Sequence, residues 1–188
     1  MKSVLVISFC LVFVFMGQAQ IRFGGKAGLN ISSFVGKDVE DVKSIAGFHA
    51  GGLVQVPIFK LFSLQPEVYI STQGGKAESD EDVERINLTY LQIPVLVKCK
   101  SPIGIFAETG PQLGVILKAT DKYNGENTNI KSYLKETDFL WVFGAGYEFG
   151  MIGFYARYNL GITKIYENAR NSVFQGGIYF VLGKSKRK

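Results

Sequence analysis

Histidine, serine and carboxylate side chains are the groups from which this sequence could assemble a hydrolytic site. His49 is the only histidine of the chain, so any mechanism with an imidazole base would have to use it. Ser32, Ser33 or Ser71 could supply a nucleophile, and Glu67 a carboxylate. Nothing in their spacing requires them to meet, and a histidine hydrogen-bonded within a polar interior is the simpler interpretation. We therefore predict no catalytic residue and no enzyme activity.

Metal, phosphate and nucleic-acid sites have as little support. Five acids between positions 78 and 84 could gather calcium, but the run lacks the glycine-pinned spacing of a dedicated calcium loop. A solvated loop, or loose divalent bridging to lipopolysaccharide, are the alternatives. The glycine-rich segments GGKAG and FGAGYEFG open no helix and so do not cradle phosphate, and the basic tail KSKRK is too short to indicate nucleic acid. We predict no metal, no cofactor and no nucleic-acid partner.

The elements that must position any site are strands. Residues 138–149 and 152–162 alternate bulky apolar side chains with small or polar ones, and they meet at Gly150 and Met151, which is the pattern of a tight β-hairpin. In a soluble sheet the bulky face would be the core. In an outer-membrane barrel the same face contacts lipid and the polar face lines the lumen.

The amino terminus has the pattern of a secretory signal peptide, residues 1–19. Lys2 precedes an apolar run at 4–16 that is too short to span a bilayer, and Gly17 and Ala19 supply small residues at a cleavage site. Residues 20–188 then form a single domain. Its one cysteine, Cys99, excludes an intramolecular disulfide, so a closed, hydrogen-bonded barrel is one means of holding an exported chain together.

Eight segments alternate like strands, each near or above the 9 to 11 residues of a tilted membrane strand. They are 21–31, 47–56, 61–71, 88–99, 103–117, 138–149, 152–162 and 172–182. Long and short connections between them alternate without exception. This is the organisation of an eight-stranded antiparallel up-and-down transmembrane β-barrel, with short periplasmic turns, long extracellular loops and both termini in the periplasm.

Alternation along each strand divides the side chains into two sets. The outward set contains no charge. Its candidates for the aromatic girdles are Trp141, Tyr147, Phe149, Phe154 and Tyr158. The inward set contains a possible ion-paired plug of the lumen, made of Arg22, Lys26, Glu67, Gln92, Lys98, Glu108, Glu148 and Arg157. Since an eight-stranded barrel is just wide enough for side chains to fill, no open channel is expected.

Eight motifs occur in order along the chain: GGKAGLNIS, GFHAGG, PEVYIS, YLQIPVLVK, ETGPQLG, FGAGYEFG, ARYNLGI and VFQGGIYF. Together they resemble the PorT-like small outer-membrane β-barrel proteins of Gram-negative bacteria. The chain departs from that pattern at Gln92, where a glutamate is common, and in not ending on the aromatic residue that commonly serves as the insertion signal of the barrel-assembly machinery.

The resemblance implies a monomer in the bacterial outer membrane, in contact with outer-membrane lipid and lipopolysaccharide and inserted by the barrel-assembly machinery. One branch of the family takes part in protein secretion. We expect a structural or interaction role, with protein partners at the extracellular loops. The alternatives are a narrow porin or transporter for small solutes and a soluble, secreted lipocalin-like carrier; a lipid-modifying enzyme is the least favoured.

Overall fold

The computed structural model describes residues 21–35, 42–78, 83–123, 126–131, 136–163 and 170–183. The expected signal peptide, most of the acidic run and the basic tail lie outside these residues. No helix within the described ranges is long and apolar enough to cross a membrane.

Alternating, β-branched and aromatic-rich segments form nine strands within the described part of the chain. They are β1 (Arg22–Val35), β2 (Val42–Pro57), β3 (Phe62–Glu78), β4 (Val83–Lys100), β5 (Ile105–Tyr123), β6 (Glu126–Asn129), β7 (Thr137–Phe149), β8 (Ile152–Gly161) and β9 (Arg170–Leu182). All eight predicted strands are confirmed.

The strands form one antiparallel sheet in the order β4-β3-β2-β1-β9-β8-β7-β5-β6, and pairing between β4 and β5 closes it. Eight strands therefore make a closed barrel. The four-residue strand β6 pairs with the end of β5, from Thr120 to Tyr123, beyond the part of β5 that pairs with β7, and is not one of the eight. Closure leaves the eight barrel strands without a free edge, which is what a sheet in hydrocarbon requires.

Three short connections, after β2, β4 and β7, lie at the same end of the barrel, which we call the turn end; the opposite end is the loop end. The turn after β7 has Gly150 at φ 61° and the one after β4 has Gly104 at φ 99°. Both values favour glycine, because a side chain is strained there. The predicted hairpin at Gly150 and Met151 is confirmed.

The strands extend further at the loop end than the sequence analysis predicted. The segment between residues 72 and 87 was expected to be a polar loop, but β3 runs to Glu78 and β4 begins at Val83, and the two pair in register from Thr72 with Thr89 to Glu78 with Val83. Pairing between β3 and β4 therefore keeps these residues in strands although their acidic composition is typical of a loop. The alternative of a merely solvated loop does not hold for the described part of this hairpin.

The outward face is apolar around the barrel, as alternation predicted. Trp141 is 37% exposed and faces away from the lumen, whereas its neighbours Leu140 and Val142 are fully buried. An outward-facing apolar belt of this extent is a surface for lipid, since contiguous apolar patches on soluble monomers are far smaller.

Candidate functional site

The lumen of the barrel is filled with polar and charged side chains. All eight residues of the expected lumenal network are at most 5% exposed: Arg22, Lys26, Glu67, Gln92, Lys98, Glu108, Glu148 and Arg157. Seven of them gather in two ionic clusters and Gln92 in a neutral one. The sequence pattern identified which residues point inward, and the structure adds which of them meet.

Arg157 on β8 is the centre of the central cluster. Its terminal nitrogens donate to both carboxylate oxygens of Glu67 on β3 at 2.8 and 2.7 Å, and its Nε donates to Glu108 on β5 at 2.5 Å. Lys26 on β1 donates to Glu67 at 2.9 Å. Gln65 donates to both carboxylates, at 2.7 and 3.3 Å. The bidentate, charge-assisted geometry offsets the cost of burying these ions.

Glu148 on β7 is the centre of the lower cluster, nearer the turn end. Its carboxylate accepts hydrogen bonds from Arg22 at 2.7 Å, from Lys98 at 3.4 Å, and from the hydroxyl of Tyr179 at 2.6 Å. Lys100, which the sequence analysis did not include in the lumenal network, also contacts it. The carboxylate of Glu148 thus contacts three cations. The lower cluster therefore carries an excess of positive charge.

Aromatic rings take up part of that excess. The Lys98 ammonium lies 3.6 Å from the ring centroid of Phe106 and 4.4 Å from that of Tyr179. Lys26 lies 4.4 and 4.5 Å from the rings of Tyr69 and Tyr155. A cation over a ring face is attracted by the ring quadrupole, and more strongly where water is excluded. The rings therefore stabilise both buried lysines, and in the lower cluster they compensate Lys98 for the shortage of carboxylates.

Two of these bonds cross the full width of the lumen. Around the closed barrel, three strands separate β8 from β3 on either side, and three separate β4 from β9. The bond from Arg157 to Glu67 joins the first pair of walls, and the bond from Lys98 to the Tyr179 hydroxyl, 2.6 Å, joins the second. Diametrically opposed strands are thus tied together at both ionic clusters.

Toward the loop end the network becomes neutral. His49 places Nδ1 2.6 Å from Oδ1 of Asn30 and Nε2 against the hydroxyl of Tyr155. Ser71, one of the candidate nucleophiles, accepts from Asn30 at 2.9 Å. Both ring nitrogens of His49 are therefore engaged by groups other than a serine. Glu67 belongs to the central cluster. The histidine, serine and glutamate that could have formed a hydrolytic site are therefore not brought together.

An amide ladder continues this neutral region around the wall. Tyr69 donates to Gln112 at 2.8 Å, and Gln112 donates to Gln92 at 2.9 Å. On the other side, Asn171 donates to Gln73 at 2.5 Å. These bonds link β3, β4, β5 and β9 without any ion pair.

The loop end of the lumen differs again, because it combines an apolar cluster with polar atoms that lack partners. Leu88, Tyr90, Ile116 and Ala119 form a buried cluster, with Ile86 and Ile130 packed against it. The buried side-chain atoms without a hydrogen-bond partner here are Tyr90 Oη, Gln92 Nε2, Asp121 Oδ1, Asp138 Oδ2, Asn159 Oδ1 and Nδ2, and Asn171 Oδ1. At the turn end of the described lumen only Arg22 Nε shares that condition.

Glycines make room for the large lumenal side chains. A Cβ added to Gly153 would lie 2.0 Å from Cζ of Tyr179, and one added to Gly144 would lie 2.8 Å from Cγ of Arg157. Real Cβ contacts are not that short, so the aromatic ring and the guanidinium occupy the space that a side chain would need. The inward glycines of the sequence are explained by lumenal packing.

The five girdle candidates all face outward, with Trp141 the least exposed at 37% and Phe149 the most at 75%. Tyr147 pairs with Phe154, and Phe149 with Ile152, near the turn end. Trp141 and Tyr158 lie nearer the loop end, where they bond to Thr109 and Ser172, each at 2.9 Å. The two groups are thus separated along the hairpin of β7 and β8.

Sequence reasoning missed the apolar part of the lumen. Leu53, Phe106, Tyr155, Tyr179 and Val181 form a buried cluster within it, and none of them was named in the expected lumenal network. Strict alternation finds them, since Phe106 is two residues from Glu108 and Leu53 is two residues from the buried Gln55. Among the described residues, no group of three or more histidine, cysteine, aspartate or glutamate side chains could hold a metal.

A protein-family model described as "Outer membrane protein beta-barrel domain" matches residues 16–167. No curated protein matches the chain significantly. Two solved structures share its fold. Neisserial surface protein A aligns with a TM-score of 0.59 at 14% identity, covering 84% of this chain and 96% of that one. Ail of Yersinia pestis, solved in complex with the heparin analogue sucrose octasulfate, aligns at 0.52 and 13% identity, covering 87% and 99%.

Proposed function

Because the chain belongs to the family of outer membrane protein beta-barrel domains, we propose that it is a closed, non-conducting barrel that acts through its extracellular end. The turn end faces the periplasm and the loop end faces the cell exterior. The observation that carries the proposal is the pair of bonds, Arg157 to Glu67 and Lys98 to Tyr179, that join opposite walls of the lumen.

Several steps that bring such a barrel to its site belong to the same proposal. Residues 1–19 direct export and are cleaved after Ala19, and the barrel-assembly machinery inserts the mature chain as a monomer. The motif order supports a place among PorT-like proteins, and with it a link to protein secretion. No catalytic residue, metal or cofactor takes part, because the buried charged groups of the lumen hold one another.

In its described part, the extracellular end offers protein partners a paired β-structure that extends the barrel wall. The hairpin of β3 and β4 extends the wall through paired residues as far as Glu78 and Val83, and β6 extends β5 beside it. Ail, a barrel of similar fold, was solved in complex with the heparin analogue sucrose octasulfate, which supports an interaction role for the present barrel as well.

Liposome swelling and surface capture test the two halves of the proposal. Proteoliposomes should take up arabinose no faster than protein-free liposomes, since the lumen is obstructed.

On intact cells, replacing residues 75–86 by an Asn-Gly turn, which joins β3 to β4 at the pair of Gly74 and Asn87, should abolish capture of a partner that the full-length protein retains. Rapid arabinose uptake would instead favour the narrow porin, and undiminished capture would move the interaction surface elsewhere.

A further inference from the structure

The lower cluster carries more positive charge than its own side chains compensate. Arg22, Lys98 and Lys100 all contact the single carboxylate of Glu148, so three cations against one acid leave two positive charges. In the central cluster, by contrast, two cations meet two carboxylates. No acid nearby makes up the difference, because Glu148 is the only acid, against four cations, in the segments that form the turn end: 21–24, 55–64, 98–107, 146–153 and 179–183.

Lys98 is the cation of this cluster whose hydrogen bonds are complete. An ammonium group has three N–H groups. That of Lys98 donates at 2.6, 3.5 and 3.4 Å to three acceptors: the hydroxyl of Tyr179, Oε1 of Gln65 and Oε2 of Glu148. The charge that remains to be compensated is therefore that of Arg22 and Lys100.

Both Arg22 and Lys100 have N–H groups without an acceptor. Arg22 is only 5% exposed, and its Nε has no hydrogen-bond partner, although its terminal nitrogens donate to Gln55, Glu148 and the carbonyl of Gly150. Among the described residues, the ammonium of Lys100 donates to Glu148 alone, which leaves two of its three N–H groups. A buried donor without an acceptor is unfavourable, so this site favours a ligand that only accepts.

These donors lie close together at an accessible rim. Arg22 and Lys100 bind the same oxygen, Oε1 of Glu148, so their nitrogens are within about 6 Å of each other. Lys100 is the last residue of β4 and pairs with the lumenal Phe106, so its side chain points inward at the rim. That side chain is 23% exposed, whereas the side chains of Arg22 and Lys98 are 6% and 1% exposed. A solute can therefore reach the cluster at Lys100.

We propose that the lower cluster binds one phosphate-class oxyanion at the turn-end mouth of the lumen, through the remaining N–H groups of Lys100 and Arg22. The charge of a phosphate group at pH 7, close to −2, matches the two uncompensated positive charges, and its oxygens accept charge-assisted hydrogen bonds from several donors. Because Lys100 points toward the barrel axis and not along the lipid-facing wall, the ligand is a free solute. This site lies at the end opposite the proposed interaction surface and does not depend on the orientation of the barrel.

Equilibrium dialysis of radiolabelled inorganic phosphate against the purified full-length protein in nonionic detergent tests the site. The native protein should bind one phosphate per barrel. Lys100→Gln should bind phosphate at least about tenfold more weakly, because a charge-assisted contact is lost, and Lys100→Arg, which keeps the charge, should retain binding. The matched control Lys60→Gln removes the same charge from an exposed lysine at the same end and should bind as the native protein does.

Absence of phosphate binding to the native protein, or equal weakening by Lys100→Gln and Lys60→Gln, would overturn the site. A heat-modifiable gel shift like that of the native protein checks that each variant is folded. Since Lys100 is one of three cations that share Glu148, its loss should leave the fold intact.

Two further measurements test the charge and the source of the phosphate. Glu148→Gln raises the positive charge of the lower cluster and should bind phosphate more tightly than the native protein; weaker binding would contradict charge as the cause. Nanodiscs that contain phosphatidylglycerol test the lipid source. Enrichment of that lipid around the native protein but not around Lys100→Gln, without binding of free phosphate, would assign the site to a headgroup and overturn the proposed solute.

Discussion

The two halves of the lumen are built on different principles. Toward the turn end, each buried carboxylate is surrounded by cations: Glu148 contacts three and Glu67 contacts two. Toward the loop end, Asp138 bonds to the hydroxyl of Thr163 at 2.7 Å, and its second oxygen has no partner. In the turn-end half, removing one partner of an ion pair should therefore cost much free energy of unfolding. The loop-end half is held mainly by weaker hydrogen bonds between uncharged groups.

This difference bears on which half of the lumen would form the proposed plug. A buried ion pair strongly resists removal of one partner, because the other is left uncompensated. A neutral hydrogen bond contributes only about 1 kcal/mol, so losing one costs less than breaking a buried ion pair, above all where the removed group also had an unpartnered atom. We infer that the central and lower clusters close the lumen, and that the neutral half contributes filling without comparable rigidity.

The largest expected effect comes from breaking the central cluster on one side. Arg157→Met leaves Glu108 without its cation and Glu67 with Lys26 alone, so the free energy of unfolding should fall by about 3–5 kcal/mol. Urea unfolding in lipid vesicles, followed by the fluorescence of the single tryptophan, Trp141, measures it. The double variant Arg157→Met, Glu108→Gln, which leaves only Glu67 paired with Lys26, should lose less than Arg157→Met alone; a larger loss would contradict an origin in uncompensated charge.

Removing the acceptor of the lower cluster should have the next largest effect. Glu148→Leu leaves Arg22, Lys98 and Lys100 facing one another and should cost about 3 kcal/mol. The same unfolding measurement applies. Glu148→Asp, which keeps the charge on a shorter side chain, is the matched control and should retain more of the stability; equal losses would assign the effect to packing.

Lumenal packing predicts a smaller cost at Gly153. Gly153→Ala drives a methyl group into the ring of Tyr179 and should destabilise the barrel by about 1–3 kcal/mol. Gly176→Ala, where an added Cβ meets nothing within 4 Å, is the control and should be neutral or slightly stabilising. A heat-modifiability gel and the unfolding midpoint report both, and identical behaviour of the two variants would refute the steric explanation.

The smallest effect is expected in the neutral half. Gln92→Met removes one hydrogen bond with Gln112 but also an unpartnered amide nitrogen, so stability should change by less than about 1 kcal/mol. Gln92→Glu places a charge where Gln112 is the side chain bonded to position 92, and should cost more. If Gln92→Met cost as much as Arg157→Met, the contrast between the two halves would be lost.

Alternation made the wall of the barrel predictable. A period of two places Arg157, Glu108 and Glu67 on the inner face whatever their separation in sequence, because the alternate positions of each strand, which are out of phase with them, are mostly apolar. It says nothing about which of them meet. Arg157 and Glu67 are 90 residues apart, and their contact depends on the barrel order and the stagger of eight strands, which a single sequence does not contain.

Alternation also failed to predict two local features. The part of the β3–β4 hairpin beyond Thr72 was expected to be a loop because it is rich in acids, but its pairing with β5 keeps β4 in the sheet. A register shift at Thr89 and Tyr90 changes which residues of β5 face inward beyond Ile116. Irregularities of this kind depend on the partner strand, so they become visible only once the pairing is known.

Single-barrel conductance in planar bilayers measures whether the lumen is obstructed. We predict no steady openings for the native protein, because side chains join opposite walls of the lumen, and steady openings for the triple variant Arg157→Ala, Glu67→Ala, Lys98→Ala, which removes both cross-lumen bonds. Large and steady openings of the native barrel would contradict it.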